Sequence, residues 1–343
     1  MDIHHRLETL PPPARGAVVA IGNFDGVHRG HRAVIAAARA EADALAAPLA
    51  VMTFEPHPRA FFDPATPPFR LTPLAAKARE LASLGVEHLY VVAFDRAFAA
   101  RSAEDFVDGV LGRDLGASCV VVGDDFHFGR GREGNLAFLE RAAPARGIRV
   151  AQVAPVAIDG TVIASRRIRE HLAQAELDRA AELLGRPWEI EGPVVHGDKL
   201  GRTLGYPTAN IDLGDMLRPK IGIYAVEVCL GERGGDGEVW RGGVASLGYR
   251  PTVQGRDLRF EVYVFDFDGD LYDRTLRVRP IRYLRDEVAL DGLDALKRKI
   301  AEDVAQARAV LTARGMVDGG GPIANKRMEN PSPPRSARPR GGR

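Results

Sequence analysis

Two histidines three residues apart carry the clearest chemical signal in the sequence. His28 and His31 lie in the string GNFDGVHRGH, which covers residues 22–31 and directly follows an apolar run over residues 17–21. Imidazole nitrogens can donate hydrogen bonds to phosphate oxygens as negative charge builds up during a transfer reaction. The spacing and surroundings of these histidines therefore point to phosphate chemistry.

The elements on either side of this string indicate how it would hold a phosphate. The apolar run predicts a short buried strand, and the alanine-rich residues 32–45 predict a helix. The turn then lies at a helix start, where unpaired N–H groups and the positive end of the helix dipole favour an anion. Glycines allow the backbone to approach that anion closely; they are Gly22, Gly26 and Gly30.

The rest of the first half alternates strand-like and helix-like segments. Helical patterns cover residues 74–84, 103–111 and 135–143, and they separate apolar runs over residues 49–54, 88–93, 119–122 and 149–153. This alternation predicts a parallel sheet that is covered by helices on both faces. In such sheets ligands bind beyond the carboxyl ends of the strands. We therefore expect the loops after Ile21, Phe54 and Val122 to form one shared site.

Three further strings accompany the histidine turn. The string TFEPHP covers residues 53–58; its prolines stiffen the loop, and Phe54 is suited to stacking on a flat ring. The string VGDDFHFGRG covers residues 122–131, and IASRRIR, over residues 163–169, opens a helix that is expected to run to Ala173. On the residues alone, the alternatives are an ordinary turn for TFEPHP and a Gly-rich turn with two aromatic anchors for VGDDFHFGRG.

The character of the sequence changes around Arg186 and Pro187. Short runs rich in Val, Ile, Tyr and Phe alternate with Gly-rich turns over residues 189–195, 222–230, 238–246, 259–267 and 275–283. This pattern predicts an antiparallel β-barrel or sandwich, closed by a helical pattern over residues 293–311. Gly, Pro, Ser and Arg dominate the end of the chain, so residues 316–343 are expected to form a disordered basic tail, either solvated or anion-binding.

A glycine-rich loop in the second half offers a second phosphate site. Residues 197–210 read GDKLGRTLGYPTAN, without the G-K-[ST] ending of a Walker A loop. Thr208 and Asn210 offer neutral oxygens on one face of an extended segment, which suits Mg²⁺. The backbone N–H groups and basic side chains of the loop are suited to phosphates; the residues concerned are Gly197, Lys199, Gly201, Arg202 and Gly205.

Glu261 is a charge between bulky apolar residues in the strand-like segment 259–265. Phosphoryl transfer to an alcohol benefits from a base near the hydroxyl, and a carboxylate in this position is a candidate. By spacing alone, Glu261 fits equally well on the solvent face of the strand.

These strings, taken together, resemble one family. GNFDGVHRGH resembles the H-x-G-H signature of nucleotidylyltransferases, and residues 201–210 resemble the riboflavin kinase signature G-R-x-x-G-x-P-T-A-N without a gap. The order of the motifs, from about Gly16 to Ala313, resembles that of the bacterial bifunctional riboflavin kinase/FMN adenylyltransferase (FAD synthetase) family.

The resemblance implies a fold and a division of labour. Residues 1–184 would be a nucleotidylyltransferase-like α/β domain with a Rossmann-like parallel sheet, which adenylylates FMN. Residues 185–315 would be an all-β barrel with a closing helix, which phosphorylates riboflavin. ATP and Mg²⁺ would serve both reactions.

The resemblance also implies roles for individual residues. In the first domain His28, His31 and Arg169 would be catalytic, and ATP would contact Gly22, Asn23, Phe24, Asp25, Gly26, Gly30 and Ser165. The flavin of FMN would lie against Phe54, Pro56, Asp125 and Phe126. In the second domain Glu261 would be the catalytic base, the glycine-rich loop would bind ATP, and Thr208 and Asn210 would hold the metal.

The chain departs from the family pattern at residues 164–166. Relatives usually have hydroxyl residues where this chain has Ala164 and Arg166, and only the middle Ser165 is kept. Arg166 either supplies replacement charge for phosphate or is an ordinary surface arginine. The departure supports one alternative: a single-activity riboflavin kinase whose N-terminal half is an inactive nucleotide- or flavin-binding module.

Composition narrows the remaining possibilities. A chain of 343 residues fits two domains, and 47 Lys and Arg against 46 Asp and Glu give no reason to expect nucleic acid as a partner. No apolar run is long enough to cross a membrane, and the two cysteines, Cys119 and Cys229, lie in apolar runs. We therefore expect a reduced cytoplasmic protein whose partners are small molecules; its oligomeric state stays open.

Overall fold

Two sheets organise the molecule. The computed structural model describes residues 1–197, 200–231, 238–252, 255–289 and 291–316. In this part of the chain a six-stranded parallel sheet forms the first half, and a closed six-stranded barrel followed by a long helix forms the second. The predicted fold class is therefore confirmed. Residues 317–343, most of the predicted tail, lie outside the described residues.

The parallel sheet has the strand order β1-β4-β3-β2-β5-β6. Its strands are β1 Asp2–His4, β2 Val18–Ile21, β3 Leu49–Glu55, β4 His88–Ala93, β5 Cys119–Gly123 and β6 Arg149–Val153. Five of them match the predicted runs. The edge strand β1 was not predicted, because two of its three residues are polar and the strand is largely exposed.

Helices cover both faces of this sheet. They are α1 Arg29–Leu45, α2 Pro58–Phe62, α3 Leu74–Ser83, α4 Arg96–Ala99, α5 Ala103–Asp105, which continues as a π-helical segment over Phe106–Asp114, α6 Leu136–Ala142, α7 Ser165–Ala173 and α8 Leu177–Leu184. A small hairpin, β7 Ala157–Ile158 and β8 Thr161–Val162, precedes α7. Side chains of β2 alternate between two cores, with Val19 and Ile21 on one face and Val18 and Ala20 on the other. Both faces of the sheet are therefore buried, as the continuous apolar runs predict.

The barrel resolves the choice between barrel and sandwich. Its strands are β9 Ile190–Val195, β10 Ala209–Ile211, β11 Gly222–Cys229, β12 Trp240–Thr252, β13 Gly255–Val264 and β14 Thr275–Arg285. They pair in the closed order β10-β13-β12-β11-β14-β9, and β9 pairs with β10 to complete the ring. A short helix α9, Leu200–Thr203, precedes β10, and α10, Gly292–Ala313, packs on the outside of β11 and β12.

The two halves share one apolar cluster. Ile168 and Leu172 of α7 and Leu184 of α8 belong to the same buried cluster as the barrel residues Val226 and Val262. Helices α7 and α8 therefore pack against the barrel as well as against the first half. The expected boundary between residues 184 and 185 follows the last residue of α8 and stays a prediction.

Candidate active sites

The histidine turn stands between β2 and α1. Helix α1 begins at Arg29, three residues earlier than the pattern predicts, so that His28 is its N-cap residue. The Nδ1 atom of His28 accepts a hydrogen bond from the backbone N–H of His31 at 3.2 Å. An imidazole nitrogen thus does what a serine or aspartate oxygen usually does at this position.

The two imidazole rings are stacked. Their centroids lie 3.6 Å apart with an angle of 16° between the planes. The ring of Phe24 packs against His31 at an angle of 60°, with 5.1 Å between the ring centroids. A Cβ atom added at Gly30 would lie 3.2 Å from Nδ1 of His28. Gly30 therefore leaves room for the His28 ring, a role that the sequence did not indicate.

Both histidines are neutral at pH 7. Burial, with the nearby charges of Arg186 and Arg169, lowers the pKa of His28 to about 4. Burial and the neighbouring His28 lower the pKa of His31 well below its ordinary value. Since Nδ1 of His28 accepts a hydrogen bond, its single proton lies on Nε2, which can donate to a ligand.

A cavity of about 950 Å³ opens in front of the histidines. The loops after β2, β3 and β5 and the start of α7 contribute to its walls, as expected for the carboxyl ends of parallel strands. The predicted site residues that line it are Gly22, Asn23, Phe24, Asp25, His28, Gly30, His31, Phe54, Asp125, Phe126, Ser165 and Arg169. Gly26 and Pro56, both in the described part of the chain, lie outside this lining.

One wall of the cavity is aromatic. The rings of Phe126 and Phe128 are stacked, with 5.5 Å between their centroids and 18° between their planes. The centroids of the Phe54 and Phe98 rings lie 5.8 Å apart. Phe128 belongs to the same predicted string as Phe126. Four further phenylalanines on this wall were missed by sequence reasoning, because they lie outside the strings that the sequence singled out; they are Phe62, Phe94, Phe98 and Phe106. The wall offers flat apolar surfaces to an aromatic ring system.

The carboxylate of Asp25 accepts its hydrogen bonds from groups of the protein itself. The buried side chain accepts hydrogen bonds from the backbone N–H groups of Leu71 and Thr72, at 2.9 and 3.1 Å. Arg169 donates to it from Nη2 at 2.5 Å. Although Asp25 was predicted to contact ATP, its carboxylate in this structure holds the segment 69–72 and Arg169 in place.

The start of α7 completes this network. Ser165 donates from Oγ to the carbonyl oxygen of Asp25 at 2.8 Å, and Arg169 donates from Nε to the carbonyl oxygen of Phe69 at 2.8 Å. Arg166 also lines the cavity, but its guanidinium pairs with Glu170 at 2.8 Å, and 85% of its side chain is exposed. The arrangement favours the surface-arginine interpretation of Arg166.

A buried chain of charges behind the site was missed by sequence reasoning. Lys77 of α3 donates from Nζ to Oγ1 of Thr53 at 3.1 Å and lies 3.6 Å from Glu55. Glu55 in turn accepts two hydrogen bonds from Arg70, at 2.6 and 2.8 Å. The signal that could have found it is a lysine on the apolar face of an amphipathic helix, where a buried charge needs a partner.

This chain of charges ends in the second half of the molecule. Arg70 pairs from Nε with Asp215 at 2.8 Å, and its backbone N–H and carbonyl oxygen bond to Asp215 and Leu217. Nearby, Arg186 donates to the carbonyl oxygen of Gly26 at 3.0 Å. The residues after α8 therefore help to position the histidine turn.

The second candidate site lies on the outside of the barrel. In the strand register Asn210 of β10 faces Glu261 of β13, which faces Ser246 of β12. Their neighbours Phe260 and Val262 are buried in the apolar cluster, so the half-buried Glu261 lies on the opposite, outer face of the strand. The structure thus brings the predicted base next to a predicted metal ligand.

Two glycines of the glycine-rich loop lie close to the predicted metal ligands. A Cβ atom at Gly197 would lie 2.2 Å from Nδ2 of Asn210, and one at Gly201 would lie 3.2 Å from Oγ1 of Thr208. The Oδ1 atom of Asn210 is buried and has no hydrogen-bond partner among the described residues. Gly205 adopts a φ of 88°, and Arg202 of α9 is exposed. Lys199 lies outside the described residues.

Known proteins match both halves of the chain. The family model described as FAD synthetase matches residues 10–167, and the one described as Riboflavin kinase matches residues 184–311. A bifunctional riboflavin kinase/FMN adenylyltransferase of Pseudomonas fluorescens is 45% identical over 311 residues, which cover 90% of this chain and 98% of the relative. One from Escherichia coli K12 is 43% identical over 296 residues, which cover 86% and 93%.

A solved structure shows the same architecture. The crystal structure of a protein named macrolide-efflux protein, from Streptococcus pneumoniae, superposes with a TM-score of 0.76 at 32% identity, covering 89% of this chain and 98% of that one. With both family models matching in order and relatives aligned over nearly their whole length, the chain belongs to the bifunctional riboflavin kinase/FMN adenylyltransferase family.

Proposed function

We propose that the chain converts riboflavin to FAD in two reactions at two separate sites. Riboflavin and ATP give FMN and ADP at the outer face of the barrel. FMN and a second ATP then give FAD and pyrophosphate in the cavity of the first half. The observation that carries this proposal is the presence, in one chain, of a neutral histidine pair at a helix start and the Asn210–Glu261 pair on the barrel.

The adenylyl transfer requires positioning rather than a base. The phosphate of FMN is already an anion, and one of its oxygens attacks the α-phosphorus of ATP while the bond to pyrophosphate breaks. His28 donates from Nε2 to the phosphate oxygens, and His31 lies beside it in the same stack. The aromatic wall accommodates a flat ring, so the flavin is assigned to it. Positioning and stabilisation of charge drive such reactions.

The riboflavin kinase step requires a base. The attacking 5′-hydroxyl of riboflavin is neutral, so Glu261 accepts its proton as the oxygen attacks the γ-phosphorus of ATP and ADP leaves. Gly197 and Gly201 pack against Asn210 and Thr208 on this side of the barrel, and the N–H groups of the glycine-rich loop and Arg202 are assigned to the phosphates of ATP. The role of Lys199 stays a prediction from the sequence.

The residues of the barrel site fit Mg²⁺. Asn210 offers a buried oxygen that no described protein group uses, and Thr208 offers a hydroxyl against the loop. Neutral oxygens together with phosphates and water make up the ligand set that Mg²⁺ prefers. When bound, Mg²⁺ would neutralise charge on the phosphates of ATP, and Thr208 and Asn210 would hold it.

The alternative of an inactive N-terminal half is not favoured. Despite the changes at Ala164 and Arg166, Ser165 and Arg169 keep their contacts around Asp25. The N-terminal half also matches the FAD synthetase family model. The loss of the two hydroxyl groups therefore leaves the hydrogen bonds around Asp25 intact.

The protein is assigned to the cytoplasm with small molecules as its partners. Cys119 and Cys229 are buried free thiols, which suits a reducing compartment. In the part of the chain that the structure describes, every helix is too short or too polar to cross a membrane.

One assay tests the proposal. The purified protein is incubated with riboflavin, ATP and Mg²⁺, and riboflavin, FMN and FAD are separated by chromatography. We expect FMN to form first and FAD to follow. In the variants His28→Ala and His31→Ala, FMN should form and FAD should not. Formation of FMN alone by the wild type would restore the single-activity alternative, and formation of neither product would overturn the proposal.

A further inference from the structure

Three side chains of ligating type meet at the outer edge of the parallel sheet. Asp2 and His4 belong to the edge strand β1, and His88 is the first residue of β4. In the parallel register Asp2 faces His88, and His4 faces Tyr90. Because residues 2 and 4 of a strand project to the same face, both side chains lie beside His88.

The two imidazoles are as far apart as a pair of ligands on one metal ion, and the carboxylate of Asp2 lies near them. The Nε2 atom of His4 lies 3.3 Å from Nδ1 of His88, and Nδ1 of His88 lies 3.8 Å from Oδ2 of Asp2. One ligand atom from each of the three residues fits within a span of 4.8 Å. Two imidazole nitrogens at about 2.0–2.1 Å from a tetrahedral Zn²⁺ are roughly 3.4 Å apart, which agrees with the histidine pair.

The surroundings leave the group accessible from one side. His88 is buried, His4 is half-buried and Asp2 is exposed, so an ion would have room for a water molecule as its fourth ligand. The neighbouring Tyr90 is not a fourth ligand, because its hydroxyl donates to the carbonyl oxygen of Ala14 at 2.6 Å. Without an ion, the two imidazoles would share one N–H in a hydrogen bond, and this is the competing explanation of the same geometry.

We propose that Asp2, His4 and His88 bind one divalent transition-metal ion of the Zn²⁺ class. Two imidazoles and a carboxylate favour such an ion over Mg²⁺, which prefers oxygen ligands. The site lies at the amino ends of the strands, whereas the cavity lies at their carboxyl ends, and none of these three described residues lines the cavity. The bound ion would hold the edge strand β1 to β4, which is the strand that β1 pairs with in the sheet.

Zinc binding to the full-length protein tests this site. The protein is treated with a chelator, dialysed and titrated with Zn²⁺ in a calorimeter, in the absence of nucleotide and Mg²⁺. We expect one Zn²⁺ per chain, and the variants His4→Gln and Asp2→Asn should each bind it at least about tenfold more weakly, since even outer-shell changes cost this much. His5→Gln is the matched control, because His5 is exposed and adjacent but outside the group; it should bind like the wild type.

Thermal unfolding gives a second readout that does not depend on catalysis. Zn²⁺ should raise the melting temperature of the wild type and of His5→Gln, because a ligand of the folded state stabilises it, and should not raise that of His4→Gln. Zinc binding that survives in both His4→Gln and Asp2→Asn would overturn the proposal. So would a wild type that binds no Zn²⁺, which would leave a hydrogen-bonded histidine pair.

Discussion

At the scale of single residues, the two reactions require different side chains because their nucleophiles differ. Riboflavin offers a neutral hydroxyl, whereas FMN offers a phosphate that is already charged. The barrel accordingly places the carboxylate Glu261 in register with Asn210, while the first half presents a pair of neutral imidazoles. Acid–base chemistry is therefore expected at the barrel alone.

Substitution of Glu261 tests whether acid–base chemistry takes place at the barrel alone. Glu261→Gln removes the proton acceptor and should lower riboflavin phosphorylation by at least about 100-fold, the usual scale for a general base. FAD formation from supplied FMN should persist, which serves as the internal control for folding. Near-normal FMN formation would show that Glu261 is not the base of the kinase reaction.

Asn210 is the residue whose loss should change the metal requirement. Asn210→Ala removes the unpaired buried oxygen, so the Mg²⁺ concentration for half-maximal FMN formation should rise on the order of tenfold. Asn210→Asp keeps an oxygen ligand and is the matched control, with a requirement closer to that of the wild type. Superimposable Mg²⁺ titrations of Asn210→Ala and wild type would exclude Asn210 from the metal site.

His28 should make the protein sensitive to acid. Its pKa is about 4 in the folded protein and near 6.5 when unfolded, so between these values the unfolded chain binds more protons. The free energy of unfolding should therefore fall as the pH is lowered from 6.5 towards 4, and this histidine alone accounts for at most about 3 kcal/mol.

The variant His28→Asn isolates this contribution. Asparagine is a good N-cap, so the start of α1 is preserved while the titrating group is lost. In urea denaturation at pH 7 and pH 5, the variant should lose about 2 kcal/mol less stability than the wild type between the two pH values. Equal losses would show that His28 is not buried as a neutral group.

At the scale of elements, helix α7 places two arginines in different surroundings. Ser165 and Arg169 are four residues apart and lie on the same face of the helix, towards Asp25. Arg166 is rotated by about 100° from Ser165 and pairs with Glu170 on the exposed face. Helical geometry alone thus removes Arg166 from the network around Asp25.

Substitution of each arginine by alanine tests this difference, and Arg166→Ala is the matched control for Arg169→Ala. Arg169→Ala should lower FMN adenylylation by at least about 100-fold, because it removes charge from the cavity and leaves the buried Asp25 without its cation. Arg166→Ala should change it by less than about twofold, since exposed ion pairs contribute little. A large rise in KM for ATP in Arg166→Ala would show that this arginine replaces the missing hydroxyls.

At the scale of the whole molecule, the segment 69–72 connects the two halves. On one side it holds Asp25 and Arg169 through its backbone, and on the other it bonds to Asp215 and Leu217. The indole N–H of Trp188 also donates to the carbonyl oxygen of Leu71 at 2.8 Å. Trp188, in the second half, therefore helps to hold the segment 69–72 that contacts Asp25 and Arg169.

Asp215→Lys tests this support across the domain boundary. The new positive charge faces Arg70, so FAD formation from FMN should fall by about fivefold, which corresponds to about 1 kcal/mol. FMN formation from riboflavin should stay unchanged. Asp212→Lys makes the same change of charge in an exposed residue that does not pair with Arg70 and should leave both activities intact. A parallel fall of both activities in Asp215→Lys would indicate general destabilisation instead.

The sequence by itself determined the local features of this protein. Apolar runs, glycines and helical periodicity predicted α1, α7 and five strands of the parallel sheet, β2 among them, because these features depend on residues close together in the chain. The histidine turn was recognisable for the same reason, since its strand, turn and helix are consecutive.

Tertiary structure alone decided what depends on contacts between distant residues. The pattern of short strands left barrel and sandwich open until β9 paired with β10. The partners of Asp25 and the chain of charges from Lys77 to Asp215 join segments that are far apart in sequence. A buried charge is tolerated only where packing supplies its partner, and no local pattern records which distant residue that partner is.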